Sequence, residues 1–207
     1  LIFQKKRLAF LVICLLLGIF SYVYQDTKIK MDDELEEATA TPVSGKVVVL
    51  DAGHGTPDEG AQSSSGTTEA ETNLKIAFKV QNLLEQSGCT VILTRSDEKA
   101  IYDLDKQTLK EKKISDIRNR VKIGNNSSAD IFVSIHLNKI PQQQYWGWQC
   151  FYNGKNEDSM RLAKILQSSL NESIQKENKR IAMKLDTVYI MKHVEIPISI
   201  VECGFLS

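Results

Sequence analysis

A short apolar run that ends at a glycine-flanked histidine constrains this chain more than any other stretch. Residues 47–55 read VVVLDAGHG, which is four apolar residues followed by Asp-Ala-Gly-His-Gly. The run has the length and the β-branched content of a buried strand. The two glycines allow the backbone to turn sharply and to come close to whatever His54 holds. A histidine at the carboxyl end of a strand is well placed to bind a metal, and a purely structural histidine is the alternative.

Predicted strands and helices alternate along the rest of the chain. Apolar spacing predicts helices over residues 69–87, 114–124 and 159–174, with Thr67 or Thr68 capping the first. Further strands are predicted at residues 89–94, 131–136, 147–152, 188–191 and 198–202, and residues 98–113 form a charged, solvated insertion. We therefore predict an α/β fold, a single three-layer domain with a mostly parallel central sheet flanked by helices.

The start of the chain predicts a membrane anchor. Three basic residues, 5–7, precede an apolar run over residues 8–24, which is at the short end of what a membrane-spanning helix needs. No small-residue cleavage site follows, so we favour an uncleaved signal-anchor over a cleaved signal peptide. The predicted organisation is a signal-anchor or transmembrane segment at 1–25, a flexible acidic tether at 26–44 and a globular domain at 45–207.

The end of the chain and its composition add further expectations. Because the chain begins at Leu1 rather than Met and stops just after its last strand, we interpret it as a fragment with a truncated C-terminal end.

The formal net charge is zero, which gives no support for a nucleic-acid partner. No CxxC pair exists among the four cysteines, so a cysteine zinc site is disfavoured. A disulfide between Cys89 and Cys150 remains an open alternative. Cys203 is interpreted as a buried side chain that fills space in the core.

Polar residues follow three of the predicted strands. His54 follows the first, His136 ends another and Glu202 ends the last, while Glu69 begins the first helix. The carboxyl ends of parallel strands meet at one edge of a sheet, so we expect these four side chains to converge. Two histidines and one carboxylate with an open fourth position form a catalytic zinc arrangement, and the remaining carboxylate can act as a base. The pattern predicts metal-assisted hydrolysis of an amide or ester.

Simpler interpretations of single residues remain open at this point. Asp51 is either a ligand itself or a carboxylate that orients the ligand histidine. Glu69 can serve only the helix dipole, and His136 can be a hydrogen-bonded core histidine. Glu202 is harder to explain in this way, because a buried carboxylate without a partner is costly.

Other polar and aromatic residues are not assigned to the site. His193 is predicted to be exposed, and Arg120 is interpreted as helix surface, although it can also orient a carboxylate. The aromatic group of Tyr145, Trp146 and Trp148 suits either contact with a bound ligand or packing in the core or at its rim.

Four segments in order resemble one enzyme family. These segments are LDAGHGTPDEGA at 50–61, EAETNLKIA at 69–77, SIHLN at 134–138 and IPISIVECGFLS at 196–207. Together they resemble the zinc-dependent N-acetylmuramoyl-L-alanine amidases of the family-3 type. The overall plan is most similar to the germination-specific members that act on the spore cortex of spore-forming bacteria.

The resemblance implies a set of roles. One zinc ion is held by His54, Glu69 and His136, and Glu202 is the catalytic glutamate. Residues 45–207 are then the catalytic domain, which cuts the amide between N-acetylmuramic acid and L-alanine during cortex maturation and muramic-δ-lactam formation. The implied partners are peptidoglycan, the membrane through the N-terminal segment and an accessory sporulation protein.

The implied location is the outer face of the cytoplasmic membrane, within the intermembrane space between forespore and mother cell. Two rival functions remain. One is a non-catalytic wall- or partner-binding domain with a degraded metal site, and the other is a zinc hydrolase of a different amide or ester.

Overall fold

The structure, a computed structural model, describes residues 18, 21–28, 30, 43–142, 144–174 and 177–206. Residues 21–28 are helical, and no helix among the described residues is both long and apolar enough to cross a bilayer. Most of the apolar run at 8–24 and of the tether at 26–44 lies outside the described residues, so the anchor stays a prediction. Val43–Ser207 form one compact unit.

Strands and helices alternate along this unit, as the sequence predicts. In chain order its elements are β1 Val47–Ala52, α1 Glu69–Gln86, β2 Thr90–Leu93, α2 Leu109–Asn126, β3 Ile131–Asn138, β4 Gln149–Tyr152, α3 Glu157–Ser173, β5 Met183–Lys184, α4 Tyr189–His193 and β6 Ile198–Phe205.

The six strands form one mixed sheet in the order β2-β1-β3-β6-β4-β5. The pairs β1–β2, β1–β3, β3–β6 and β4–β5 are parallel, and β4 pairs with β6 in the antiparallel direction. The prediction of a mostly parallel sheet is confirmed, with β4 and β5 reversed. The parallel core of β1, β3 and β6 brings three carboxyl ends to one edge of the sheet.

Helices cover both faces of the sheet. One face packs against α2 and α4 around the fully buried Phe132, which lies in β3. The opposite face packs against α1 through Ala77 and against α3 through Ala163. The predicted three-layer arrangement is therefore confirmed, and burial of these apolar faces is the main stabilising term.

Two predicted elements differ from the observed ones. Helix α2 begins at Leu109 rather than near residue 114, because Thr108 and Glu111 form a capping box that starts it earlier. The strand predicted at residues 188–191 is wrong, since this segment forms helix α4. Ile190 and Met191 are both buried in the same core cluster, whereas neighbours in a strand point to opposite faces.

Replacing Phe132 with alanine tests the position of the core. We expect Phe132→Ala to lower the free energy of unfolding by about 3–5 kcal/mol, because it leaves a large cavity between β3 and α2. Leu104 is 94% exposed, so Leu104→Ala is the control and should change stability by less than about 0.5 kcal/mol. Urea unfolding measures both values, and equal effects would contradict the packing described here.

Candidate metal centre

The backbone brings the predicted site residues to one edge of the sheet. His136 and Glu202 are directly opposite one another in the β3–β6 ladder. Strand β1 pairs with β3 on the side opposite β6, and its last residue, Ala52, is paired with Ile135. His54 lies two residues beyond Ala52. The convergence expected from the three strand ends is therefore observed.

Helix α1 supplies the fourth side chain. The Thr68 hydroxyl accepts a hydrogen bond from the Glu71 N–H, so the helix begins at Glu69, beside the same edge. One turn later the buried Asn73 amide donates to the Gly53 carbonyl oxygen at 3.1 Å. This contact ties the first turns of α1 to the loop that carries His54.

Three side chains form a cluster that can hold a metal ion. Glu69 Oε1 lies 3.3 Å from His54 Nε2 and 2.9 Å from His136 Nδ1. One potential ligand atom from each residue lies within 4.8 Å of the others. The other ring nitrogen of His54, Nδ1, faces Asp58 Oδ2 at 3.3 Å, and such a carboxylate fixes the ring of a metal-binding histidine. Two imidazoles and one carboxylate fit a zinc ion.

The charges in the cluster suit a cation. Burial acts to raise the pKa of Glu69, but hydrogen bonds with His136 and His54 outweigh it and hold that pKa well below its usual range. Burial acts to lower the pKa of His54, but Glu69 and then Asp58 raise it above its usual value. Glu69 is therefore an ionised carboxylate at neutral pH, the form that a metal ligand must have.

Glu202 lies beside the cluster but is not tied into it. Its side chain lines a cavity together with His54 and His136. Its Oε2 is buried and has no hydrogen-bond partner among the described residues. Burial raises the pKa of Glu202 above its usual value, against an opposing effect of His136 and with a smaller contribution from the charge of Glu69. An unpaired carboxylate in this position can exchange a proton with a molecule in the cavity.

Two glycines leave room for the cluster. A Cβ atom on Gly53 would overlap the imidazole of His136. A Cβ atom on Gly60 would overlap the Glu69 carboxylate and the His54 ring, and Gly60 has a positive φ of +69°. The glycines of the motif thus permit close approach, as the sequence predicts for Gly53.

Arg120 is buried beneath the loop, so its interpretation as helix surface is wrong. It is 2% exposed and donates to Asp51 Oδ1 at 2.6 Å and to Asp116 Oδ2 at 2.8 Å. It also donates to the carbonyl oxygens of Ala52, at 2.7 Å, and His54, at 2.6 Å. His54 has a φ of 63°, a conformation that costs a non-glycine residue about 1–3 kcal/mol and persists where the surrounding contacts hold it.

The carboxylate of Asp51 is hydrogen-bonded to groups outside the metal cluster. It accepts hydrogen bonds from Arg120, from the Thr94 hydroxyl at 2.7 Å and from the Ser134 hydroxyl at 2.6 Å. Asp51 therefore neither belongs to the cluster nor orients the His54 ring. Asp58 has the orienting position instead, and its place four residues after His54 in a glycine-containing loop is the sequence signal for it.

A second buried arginine, for which the sequence carries no local signal, also holds this loop. Arg95 is 4% exposed and donates to the carbonyl oxygens of Ala52 at 2.9 Å, Gly53 at 3.2 Å and Ala70 at 2.7 Å. It links the end of β1 to the first turn of α1. Its hydrogen bonds fix the distance between the backbone segment just before His54 and the backbone segment just after Glu69.

The other residues considered from the sequence lie elsewhere. His193 is exposed, as predicted. Trp148 is buried and donates to Asn171 Oδ1 at 2.8 Å, so it packs in the fold, whereas Tyr145 and Trp146 are partly exposed.

The cysteines provide no cross-link among the described residues. Cys89, Cys150 and Cys203 are all free thiols, so the disulfide considered between the first two is not formed. Cys203 is half-buried against two of the core clusters, which agrees with its interpretation as filler.

Comparison with known proteins identifies relatives of this chain. Residues 48–207 match the family described as N-acetylmuramoyl-L-alanine amidase (Amidase_3). The germination-specific N-acetylmuramoyl-L-alanine amidase of Bacillus subtilis is 34% identical over 205 residues, which cover 99% of this chain and 83% of that protein.

Solved structures agree with the fold. The structure of the CwlD amidase from Clostridioides difficile in complex with the GerS lipoprotein has a TM-score of 0.75 and 41% identity. This match covers 78% of this chain and 83% of that chain. The catalytic domain of CwlV, an N-acetylmuramoyl-L-alanine amidase from Bacillus (Paenibacillus) polymyxa, has a TM-score of 0.64 and 29% identity, covering 78% and 81% of the two chains.

A methyl group on Gly53 should damage the metal centre. In Gly53→Ala the new Cβ displaces the His136 ring, so we expect zinc affinity to fall by roughly 10- to 100-fold. Gly204→Ala is the control, because a Cβ there meets only Leu137 Cδ2, at 3.7 Å. Zinc affinity is measured by competition with a chromogenic chelator. Unchanged affinity in Gly53→Ala would contradict the proposed ligation by His136.

Loss of Arg120 should destabilise the fold. In Arg120→Met the carboxylates of Asp51 and Asp116 lose a buried cation, and we expect a loss of about 3–5 kcal/mol in the free energy of unfolding. Arg118→Met is the matched control on the exposed side of α2 and should have little effect. Denaturant titration compares the two, and similar stabilities would contradict the buried role of Arg120.

Proposed function

The chain belongs to the N-acetylmuramoyl-L-alanine amidase family, and we propose that it is a zinc-dependent member that hydrolyses the amide bond between N-acetylmuramic acid and L-alanine in peptidoglycan. The observation that carries the zinc proposal is the cluster of His54, Glu69 and His136 at the carboxyl edge of the sheet. Its donor set leaves a further coordination position for water or substrate.

The three cluster residues would hold one zinc ion through His54 Nε2, His136 Nδ1 and the Glu69 carboxylate. When bound, zinc polarises the scissile carbonyl group and lowers the pKa of a water molecule. Asp58 keeps His54 in the tautomer that leaves Nε2 free to bind. Arg120 and Arg95 hold the loop in place, so the ligands need little rearrangement when the ion binds.

Glu202 is the proposed general base and acid. Its carboxylate accepts a proton from the attacking water, whose oxygen forms a bond with the lactyl carbonyl carbon. The C–N bond then breaks, and Glu202 returns the proton to the leaving amine of L-alanine. The products are the muramic acid carboxylate and a stem peptide with a free amino terminus. The buried, unpaired Oε2 and the raised pKa of Glu202 support this role.

We further propose that the enzyme acts in spore cortex maturation, where removal of stem peptides precedes muramic-δ-lactam formation. The similarity to the germination-specific amidase of Bacillus subtilis supports this role. The location would be the outer face of the cytoplasmic membrane, between forespore and mother cell, with the N-terminal segment as the anchor. An accessory sporulation protein is a proposed partner, and the complex of CwlD with the GerS lipoprotein supports it.

A non-catalytic binding domain is the weaker alternative. Such a domain has no need for two histidines and two carboxylates at one sheet edge, with one carboxylate left unpaired in a cavity. The convergence of His54, Glu69, His136 and Glu202 therefore favours the enzyme.

A digest of purified peptidoglycan tests the proposal. With zinc added, the protein should release stem peptides that carry a free L-alanine amine, detected by mass spectrometry, and a chelator should abolish the release. Glu202→Gln should bind zinc normally but lose activity by roughly 10²- to 10⁴-fold, because it cannot accept the proton.

Glu195→Gln is the matched control for this experiment. Glu195 is exposed in the loop before β6, so the variant should digest peptidoglycan at the wild-type rate. Full activity of Glu202→Gln would refute the assignment of the base. A wild-type protein that binds zinc but releases no stem peptide under any condition would favour the binding domain.

A further inference from the structure

The cavity beside the metal cluster extends towards helix α2. Its wall includes His54, His136 and Glu202 of the site. The same wall includes the apolar residues Ile117 and Val188, and Lys113. Lys113 ends the charged segment 98–113, for which the sequence predicts a solvated insertion, and it has no part in the proposed chemistry.

Lys113 has unused capacity to bind an anion. Its Nζ lies 2.9 Å from Asp58 Oδ2, which is the only partner found for it among the described residues. A lysine ammonium group has three N–H donors, and the Lys113 side chain is 49% exposed. At least one donor is therefore available to a molecule in the cavity.

The other cation in the cavity wall cannot do the same. Arg120 is 2% exposed, and its guanidinium is already bound to Asp51, Asp116 and two backbone carbonyl oxygens. Among the described residues that line the cavity, Lys113 is thus the one accessible side chain of the lysine or arginine type. The apolar wall beside it reduces solvent screening, which strengthens a pairing with an anion.

The substrate class offers a matching anion close to the reacting bond. The second residue of a peptidoglycan stem is a glutamate that continues the chain through its side-chain carboxyl group, so its α-carboxylate is free. That carboxylate lies one residue beyond L-alanine, about 4–6 Å from the scissile nitrogen. Lys113 lies on the His54 side of the cavity, because Asp58 Oδ2 is 2.9 Å from Lys113 Nζ and 3.3 Å from His54 Nδ1.

We propose that Lys113 binds the free α-carboxylate of the second stem residue and makes the enzyme prefer stems in which this group is not amidated. The inference rests on the proposed amidase function and adds a specificity residue to it. The carboxylate shares the Lys113 ammonium with Asp58, and the alanine residue then spans the distance to the metal cluster.

A supporting role for Lys113 is the alternative that the test must separate. Burial acts to raise the pKa of Asp58, but the hydrogen bond from Lys113 outweighs it and keeps Asp58 ionised beside His54. If Lys113 served only to hold Asp58, its loss would affect the hydrolysis of every substrate equally. Loss of a carboxylate contact would affect only substrates that carry the carboxylate.

The experiment is a competition digest with two forms of peptidoglycan. One has glutamate at the second stem position, and the other has its α-carboxamide, isoglutamine, at the same position. Mass spectrometry measures the ratio of the two released peptides from one mixture. This ratio does not depend on how much of a variant is folded or loaded with zinc, because both substrates meet the same enzyme.

Wild-type enzyme should release the carboxylate form roughly five- to tenfold faster, as expected for a charge-assisted contact at a half-exposed site. In Lys113→Met the ratio should fall to about one, and Lys113→Arg should restore most of the preference. Lys110→Met removes an exposed charge from the same helix, outside the cavity, and should retain the wild-type ratio.

Two results would overturn the inference while leaving the amidase function intact. One is a wild-type ratio near one, and the other is a Lys113→Met variant that keeps the wild-type ratio with both rates lowered alike. If the wild type releases neither peptide from either material, the proposed function itself fails and the inference fails with it.

Discussion

The site depends on the buried guanidinium of Arg120 more than on any other single interaction. This group links Asp51 in β1, Asp116 in α2 and the carbonyl oxygens of Ala52 and His54. Burying such a cation is costly, and two carboxylates and two carbonyl groups offset the cost. The arrangement fixes the carboxyl end of β1 against α2, and thereby the direction in which the His54 side chain leaves the sheet.

Arg95 completes this arrangement from the side of α1. Burial lowers its pKa to about 10, yet it remains charged at neutral pH, and its hydrogen bonds go to backbone carbonyl oxygens at 52, 53, 70 and 97. The two guanidinium groups together hold the loop before His54 and the first turn after Glu69. The left-handed backbone of His54 is thus imposed by its surroundings, and the candidate ligands are prearranged on rigid elements.

Much of this could be predicted from the sequence, because the chemistry lies at the ends of apolar strands. The sequence carries a local signal at three places: the apolar strand before His54, the apolar strand that ends at His136 and the start of the helix at Glu69. A parallel sheet brings the carboxyl ends of its strands together at one edge. Arg120 and Arg95 could not be predicted in this way, since most of their partners are backbone carbonyl oxygens and the partners of Arg120 in β1 are as many as 69 residues away. Helix α4 was predicted as a strand, because a short apolar run has no period of its own and only tertiary packing decides it.

Whether one zinc ion occupies the space between His54, Glu69 and His136 is the central question, and anomalous X-ray diffraction at the zinc edge answers it most directly. Crystals of the zinc-loaded protein should give one strong anomalous peak bounded by the two imidazoles and the Glu69 carboxylate, with Glu202 beside it. A strong peak elsewhere, or none at this position in protein shown to contain zinc, would contradict the account.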